Sequence, residues 1–341
     1  MRTRRLLAAL CAAFIALSVN SGRAAASQQA ETLAPGTLVL SVGSRPVFWR
    51  EIRFWLNYLG KHYKDTHLLN GPDLREFLLS TAIAYTCNDT AIEEQAAKLG
   101  IHLLEADLAQ MAKTRQDDID IYGGRAEYLR IVESMYGSEE QYEYLTKIDY
   151  LGSYVFNRLY GPDGGKCTDA CVSAYVAQAG LINARYIFFS NRDVARNEVS
   201  ALKRRQNRAL LRNMLRRLDA SPDPQTVFVA LAAKYHAAPA LANTLDSPLF
   251  ARSSKGAEFS AAYDQLADHE YSRIVETSDG YYIILRMPIA PDMKVGTADK
   301  NLRYWAAYEY LYKKQIADWC GELSITYDDA YRRIDVEGSL K

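Results

Sequence analysis

The strongest constraint on the fold is a stripe of large apolar and aromatic side chains near the end of the 341-residue chain. Its members recur at intervals of three or four residues, and they are Leu302, Trp305, Tyr308, Tyr312, Ile316 and Trp319. This spacing predicts one helix over 299–319. Because a helix face this apolar must be buried, we expect the C-terminal segment to return to the helical zone near the start of the chain.

The remainder of the chain changes character twice. A β-prone entry at 37–48 precedes an almost continuously helical zone that extends to about residue 161. Between 182 and 288, β-prone runs alternate with predicted helices at 193–218 and 226–235, and Ser278-Asp279-Gly280 predicts a hairpin connection between strands at 271–277 and 281–287. These elements predict an α+β fold class, with an α+β domain inserted between two parts of one helical domain.

Residues 1–26 have the layout of a secretory signal peptide. Arginines at positions 2, 4 and 5 precede an apolar stretch of fourteen residues and the small-residue run Ala24-Ala25-Ala26. That stretch is too short to span a bilayer, which requires about 20 apolar residues. We therefore expect cleavage near Ala26, an extracytoplasmic location (secreted, cell surface or periplasm) and no transmembrane anchor.

The charge of the chain is balanced overall, with 41 basic and 41 acidic residues. Loss of residues 1–26 removes four arginines and no acid, which leaves 37 basic residues against 41 acidic ones. This composition argues against a dedicated nucleic-acid-binding protein. One segment, Arg192–Arg217, carries nine basic residues and two acids, and it predicts either a surface that attracts anionic clients or the envelope, or a solvated helix balanced by acids elsewhere.

Four cysteines follow the predicted cleavage site, namely Cys87, Cys167, Cys171 and Cys320. Cys167 and Cys171 are four residues apart, so on one helical face they can bridge each other or different partners. Structural bridges or buried thiols are favoured over redox or metal use, because no histidine lies nearby to complete a zinc site. The sequence predicts neither a metal nor a cofactor.

Three blocks of residues 182–288 carry a resemblance to a known family. They are Asn183-Ala184-Arg185-Tyr186-Ile187-Phe188-Phe189, residues 228–235, and residues 271–284 with the words Glu276-Thr277-Ser278-Asp279-Gly280-Tyr281-Tyr282. In order and spacing they resemble the successive blocks of a parvulin-type peptidyl-prolyl cis-trans isomerase. The flanking arrangement is similar to that of the extracytoplasmic PrsA/SurA-type foldases.

This resemblance implies a division of the chain and a fold for each part. Residues 1–26 are the signal peptide, and 27–181 are a helical, chaperone-like domain. Residues 182–289 are a parvulin-like domain with a small, mainly antiparallel sheet and three or four helices. Residues 290–341 are a C-terminal helical segment that returns to the N-terminal domain.

The same resemblance implies the site. Rotation of an X–Pro bond faces a barrier of about 20 kcal/mol set by amide resonance, and no covalent bond is made, so no nucleophile, metal or cofactor is required. The implied apolar, substrate-binding residues are Leu245, Phe250 and Phe259. The implied catalytic positions are Thr277, which supplies the hydroxyl, and Tyr186 and Tyr282, which replace the two histidines of the family.

The substitution of both histidines leaves alternatives open. The resemblance implies an exported foldase that binds unfolded or partly folded exported polypeptides and isomerises X–Pro bonds weakly, or a catalytically inactive peptide-binding holdase of the same architecture. Tyr186 and Tyr282 also fit the description of ordinary core or strand-face tyrosines. A purely structural secreted protein is a third class, and no oligomeric state is predicted.

Overall fold

The computed structural model describes residues 33–63, 71–193, 195–235, 249–295 and 300–339. The predicted signal peptide and Leu245 lie outside these residues. The α+β class is confirmed: helices surround two small sheets in which all paired strands are antiparallel. Within the described ranges, no helix has the length and apolar character needed to cross a bilayer.

Among the described residues, six α-helices precede the larger sheet. They are α1 (Trp49–Tyr63), α2 (Gly71–Lys98), α3 (Glu105–Ile121), α4 (Arg125–Tyr136), α5 (Glu139–Tyr160) and α6 (Asp169–Gln178). Local chemistry sets the boundary between α4 and α5: Gly137 ends α4 in a left-handed conformation (φ +85°), and the Ser138 hydroxyl accepts a hydrogen bond from the Gln141 backbone N–H at the start of α5.

The apolar stripe at the end of the chain lies on a helical segment with an irregular middle. Helix α10 (Leu302–Trp305) continues through a π-helical stretch (Ala306–Tyr312) into α11 (Lys313–Glu322). The segment packs against α2, α5 and α6. The Tyr312 hydroxyl donates to the Gly152 carbonyl at 2.9 Å, and a disulfide joins Cys87 on α2 to Cys320 on α11. The π-helical stretch is a feature that periodicity did not predict.

A three-stranded sheet joins the two ends of the described chain. Its order is β2 (Arg45–Phe48), β1 (Leu38–Val42) and β7 (Ile325–Tyr327), with β1 in the centre. Buried residues of β1 pack with α1 and α2 in one core. Residues near positions 40 and 326 therefore lie side by side in this sheet, although most of the described chain separates them in sequence.

The four-stranded sheet has the order β4 (Leu249–Ala251), β3 (Leu181–Ser190), β6 (Gly280–Arg286) and β5 (Val275–Glu276). Helices α7 (Ala201–Asp219) and α8 (Pro224–Tyr235) cover one face, and α9 (Ala257–Asp264) covers the other. Successive residues of a strand point to opposite faces. Ile187 accordingly contacts α7 and α8, whereas Tyr186 lies on the face that contacts α9.

Two predicted boundaries in this region were wrong. The helix expected over 193–218 begins at Ala201, because the Asp193 carboxylate accepts hydrogen bonds from the Ala195 and Asn197 backbone N–H groups and Ser200 caps the helix. Leu202, in the first turn of this helix, is 66% exposed because it lies about 140° around the helix from the buried Asn207. The strand expected over 271–277 is reduced to Val275–Glu276 and one isolated bridge from Tyr271 to Leu285.

Candidate functional site: an aromatic pocket on the four-stranded sheet

Two neighbouring strands bring three aromatic side chains to one face of the sheet. Tyr186 and Phe188 are two residues apart on β3 and therefore share a face. Tyr282 on β6 is directly opposite Phe188 in the antiparallel register, and Tyr186 is opposite Ile284. Two of the three predicted catalytic residues, Tyr186 and Tyr282, are thus placed diagonally across adjacent strands.

Three rings pack around the ring of Tyr282. The centroid of the Tyr282 ring lies 4.5 Å from that of Phe188 in a stacked arrangement. It lies 5.6 Å from that of Tyr186 and 5.2 Å from that of Phe259, and both of these pairs are edge to face. Phe250 completes the group at 6.3 Å from Tyr186. These separations fall within the range in which aromatic pairs add stabilisation beyond burial. Four of the predicted site residues therefore converge in one cluster.

A cavity of about 290 Å³ opens above this cluster. Three aromatic residues line it, here called the floor (Tyr186, Phe188 and Tyr282), together with five polar or charged residues, here called the rim (Ser190, Arg192, Ser254, Lys255 and Asp279). Its size is just below that of typical ligand pockets, which span roughly 300–1,000 Å³.

The two predicted phenylalanines lie behind the cavity floor. Phe259 projects from α9 and is 0% exposed, and its ring contacts Tyr186 and Tyr282 from below. Phe250 on β4 is half-buried and pairs through its strand with Ile182. Neither side chain lines the cavity, so both support the position of the tyrosine rings.

Thr277 is placed in the turn that precedes β6. Its hydroxyl oxygen accepts hydrogen bonds from the backbone N–H groups of Asp279 (3.2 Å) and Gly280 (3.3 Å). The side chain is buried and does not line the cavity. In this arrangement the hydroxyl holds the hairpin that presents Asp279 and Tyr282. Leu245, the remaining predicted residue, lies outside the described residues.

Charged side chains give the cavity a polar rim. Lys255 places its ammonium 4.9 Å from the centroid of Tyr186 and 5.8 Å from that of Phe250, which is cation–π geometry. Arg192 contributes a second positive charge and Asp279 a negative one. Burial raises the pKa of the Tyr282 phenol, and the nearby Tyr186 and Asp279 raise it further. The phenol therefore stays protonated at neutral pH, in the form that can donate a hydrogen bond.

Six of the eight lining residues were not predicted as site residues, and Phe188 and Lys255 show two different reasons for this. Phe188 had a usable signal, since it is two residues from Tyr186 on a predicted strand and must share its face. Lys255 had none: it enters the cavity through a short 3-10 turn (Arg252–Lys255) that follows β4, and no residue pattern predicts that approach. Within the part of the chain that the structure describes, no three His, Cys, Asp or Glu side chains come together as a metal site.

This chain is similar to several solved structures of other proteins. No protein-family model matches the chain, and no curated protein sequence matches it. A structure of PrsA from Bacillus subtilis matches at 19% identity, with a TM-score of 0.26, over 73% of this chain and 85% of that one.

Two further matches extend over more of the chain. The peptidylprolyl isomerase PrsA from Bacillus cereus matches at 12% identity, with a TM-score of 0.35, over 90% of this chain and all of that one. A SurA-like chaperone of Campylobacter jejuni matches at 13% identity, with a TM-score of 0.23, over 86% of this chain and 99% of that one.

Proposed function

We propose that this chain is an exported foldase that binds extended or partly folded secreted polypeptides and isomerises X–Pro bonds weakly. In this proposal, residues 182–289 form a parvulin-like peptide-binding domain. Residues 27–181 and 290–341 form a helical body that holds the client. The observation that carries the proposal is the aromatic floor of Tyr186, Phe188 and Tyr282 beneath a charged rim.

The floor suits a proline ring on physical grounds. Aromatic faces offer a large apolar contact at little entropic cost, and the cavity is sized for one short peptide segment. The imide loses conjugation as it twists, so catalysis requires only that the twisted form be held better than the planar one. The neutral Tyr282 phenol and the Lys255 ammonium are hydrogen-bond donors among the lining residues, and in this proposal they contact the bound segment.

The expected rate is low. Two tyrosines replace an imidazole pair, and a phenol cannot share a proton near pH 7 as an imidazole does. Because no covalent step occurs, the substitution lowers the rate without abolishing the chemistry. Thr277 acts in this proposal through the hairpin that carries Tyr282, and Phe250 and Phe259 act by fixing the tyrosine rings.

A protease-coupled assay on short proline peptides with the full chain tests the isomerase. Tyr282→Phe removes only the phenol oxygen and should lower the weak acceleration by about tenfold, the value of one hydrogen bond in the transition state. Tyr281→Phe is the matched control, because Tyr281 is equally buried but lies on the opposite face beneath Arg208. Equal loss in both variants contradicts the assignment of Tyr282.

A second candidate, the non-catalytic holdase, is favoured by the burial of the same rings. Tyr186 and Tyr282 are each only 4% exposed, as expected for side chains that pack a core. A holdase predicts that the full chain suppresses the aggregation of an unfolded client and leaves the proline-limited refolding phase unchanged. A foldase predicts both effects, and a purely structural protein predicts neither.

The basic face of α7 supports a proposed attraction to the anionic envelope surface or to anionic clients. Lys203, Arg205, Arg212, Arg216 and Arg217 are exposed on this helix and make no ion pair with another described residue. Two other arginines are paired, Arg204 with Glu198 and Arg208 with Glu276. Acidic side chains therefore pair with only some of the basic side chains of α7.

A further inference from the structure

Two thiols outside the aromatic pocket lie in direct contact. The sulfur atoms of Cys167 and Cys171 are 2.7 Å apart, and neither cysteine is in a disulfide in this structure. A disulfide bond requires about 2.05 Å, so the two atoms need only a small displacement to bond. Cys167 precedes α6, and Cys171 is in its first turn.

The backbone around both cysteines is held from two sides. The Thr168 hydroxyl accepts a hydrogen bond from the Cys171 backbone N–H at 3.2 Å and so caps α6. From the C-terminal helical segment, Arg303 donates to the Cys167 carbonyl and forms an ion pair with Asp169 at 2.7 Å. The contact between the thiols is therefore built into the junction of α6 with the C-terminal segment.

The two thiols differ in access. Cys167 is 2% exposed, and burial together with its hydrogen bond to Cys171 raises the pKa of its thiol to about 12. Cys171 is partly exposed. Because the thiolate is the reactive form and access controls attack, Cys171 is the sulfur that an external reagent meets first.

We propose that Cys167 and Cys171 are a redox-active dithiol that closes to a second disulfide by exchange with a low-molecular-weight disulfide. The Cys171 thiolate attacks one sulfur of the external disulfide, forms a mixed disulfide and releases one thiolate. Cys167 then loses its proton, attacks the Cys171 sulfur and displaces the second thiolate. Two protein thiols are oxidised by two electrons, and one external disulfide is reduced to two thiols.

Closure of this pair should restrict local opening at the start of α6. Two residues separate the end of α6 from β3, the strand that carries Tyr186 and Phe188. A bridge from Cys167 to Cys171 ties the loop before α6 to its first turn. We expect slower hydrogen exchange of the α6 amides in the oxidised protein and unchanged exchange in α1, which lies in a different core.

The test is disulfide mapping of the full chain after equilibration in glutathione buffers of graded redox ratio. The bridged fraction of Cys167–Cys171 should rise at least about fivefold from the most reducing to the most oxidising buffer. The Cys87–Cys320 bond, mapped in the same digests, is the internal reference and should stay closed. If Cys167 and Cys171 stay free thiols at every redox ratio, the proposal is wrong. If their bridge stays closed at every ratio, the pair does not exchange with glutathione, and the proposal is wrong for that reason.

Two single variants separate the roles of the sulfurs. Cys167→Ala leaves Cys171 without a resolving thiol, so a mixed disulfide with glutathione should accumulate at Cys171. Cys171→Ala leaves only the buried sulfur and should remain unmodified under the same conditions. Modification of Cys167 in the second variant, or none of Cys171 in the first, contradicts the assigned order. Far-ultraviolet circular dichroism confirms beforehand that both variants are folded.

Discussion

The ring of Phe188 on β3 stacks on the ring of Tyr282 on β6, with centroids 4.5 Å apart and planes inclined by 28°. The two residues are directly opposite in the antiparallel register, so the strand pairing itself sets their contact. Both rings line the cavity, and Lys255 stands at its rim. In the proposed function, this pair contacts the proline ring of a bound peptide.

Removal of Phe188 should impair peptide binding more than its effect on stability explains. Phe188→Ala deletes part of the cavity floor, and we expect about fivefold weaker binding of a proline peptide, because one aromatic contact is worth about 1 kcal/mol. The loss of stability should be about 2 kcal/mol, below that of a fully buried phenylalanine, since Phe188 is half-buried. Fluorescence anisotropy of a labelled peptide and urea denaturation measure the two effects.

Phe189→Ala is the matched control for this prediction. Phe189 is the next residue of β3, is likewise half-buried and packs on the opposite face with α7 and α8. It should lose similar stability and retain peptide binding. If both variants lose binding equally, the site is not on the face that carries Tyr186 and Tyr282.

The hairpin before β6 should not tolerate a side chain at Gly280. A Cβ there would collide with the Phe189 backbone carbonyl and ring atoms of Phe188, and the φ of +156° is rarely adopted by other residues. We expect Gly280→Ala to cost at least about 2 kcal/mol of unfolding free energy. Gly321→Ala is the control, because Gly321 is helical with open space around it and should be neutral or slightly stabilising. Thermal denaturation that ranks the two variants equally contradicts this account.

The alternation of side chains between the two faces of a strand explains how much of the pocket could be predicted from the sequence. The β-prone runs around Tyr186 and Tyr282 were predicted as strands, and in an antiparallel sheet they can bring both rings to one face. The same rule would have added Phe188. Burial of Phe259 beneath the rings depends on the docking of α9, which no local pattern specifies.

Long-range contacts account for what the sequence could not predict. Cys87 and Cys320 are separated by 233 positions, and their pairing follows from the packing of α11 on α2. The π-helical stretch at Ala306–Tyr312 likewise depends on tertiary contacts, such as the hydrogen bond from Tyr312 to Gly152. Helix periodicity predicted the helix, but of its apolar stripe only Leu302 and Tyr312 are buried and the other four members are half-buried. The longer turn of a π-helix leaves no clear signal in such a pattern.

The unpaired basic residues of α7 should drive any association with anionic membranes. Combined replacement of Arg205, Arg212 and Arg216 by Gln should weaken binding to phosphatidylserine-containing vesicles by about 100-fold at low salt, since each basic residue near such a surface contributes about 1 kcal/mol. Binding of the unmodified chain should fall steeply with added salt. Vesicle co-sedimentation measures both effects.

An equal charge change elsewhere is the control for the α7 variant. Arg115, Arg125 and Arg130 lie on α3 and α4 and are paired with glutamates. Their replacement by Gln changes the net charge by the same amount and should leave vesicle binding nearly unchanged. Equal losses in the two triple variants, or binding that does not respond to salt, would show that α7 has no special role.

The helical body contains a carboxyl group that should make stability depend on pH. Asp89 on α2 is surrounded by Glu51 on α1, Glu93 on α2 and Asp149 on α5, with the Arg45 guanidinium as the opposing charge. Burial is the main cause that raises the pKa of Asp89 well above its ordinary value; Arg45 lowers it, and the three carboxylates add to the increase. The folded protein therefore holds this proton at a pH where the unfolded chain has lost it.

The sign of the effect follows from proton linkage. Below the unfolded pKa of about 3.9 the group is neutral in both states and costs nothing. As the pH rises from there through the raised folded pKa, the unfolded state ionises first, so stability falls and then levels off. Asp89→Asn removes the ionisation and should raise the unfolding free energy at pH 7 by at least about 1 kcal/mol, with the gain vanishing near pH 3.

Urea denaturation across this pH range measures the difference between the two proteins. Glu94→Gln is the control on the same helix, because Glu94 is partly exposed and pairs loosely with Lys98 at 3.8 Å, so its replacement should change stability by less than about 0.5 kcal/mol at any pH. A lower stability of Asp89→Asn at pH 7 would mean that the attraction of the Asp89 carboxylate to Arg45 exceeds the cost of its burial. The carboxylate would then stabilise the fold, and the pH dependence would have the opposite sign.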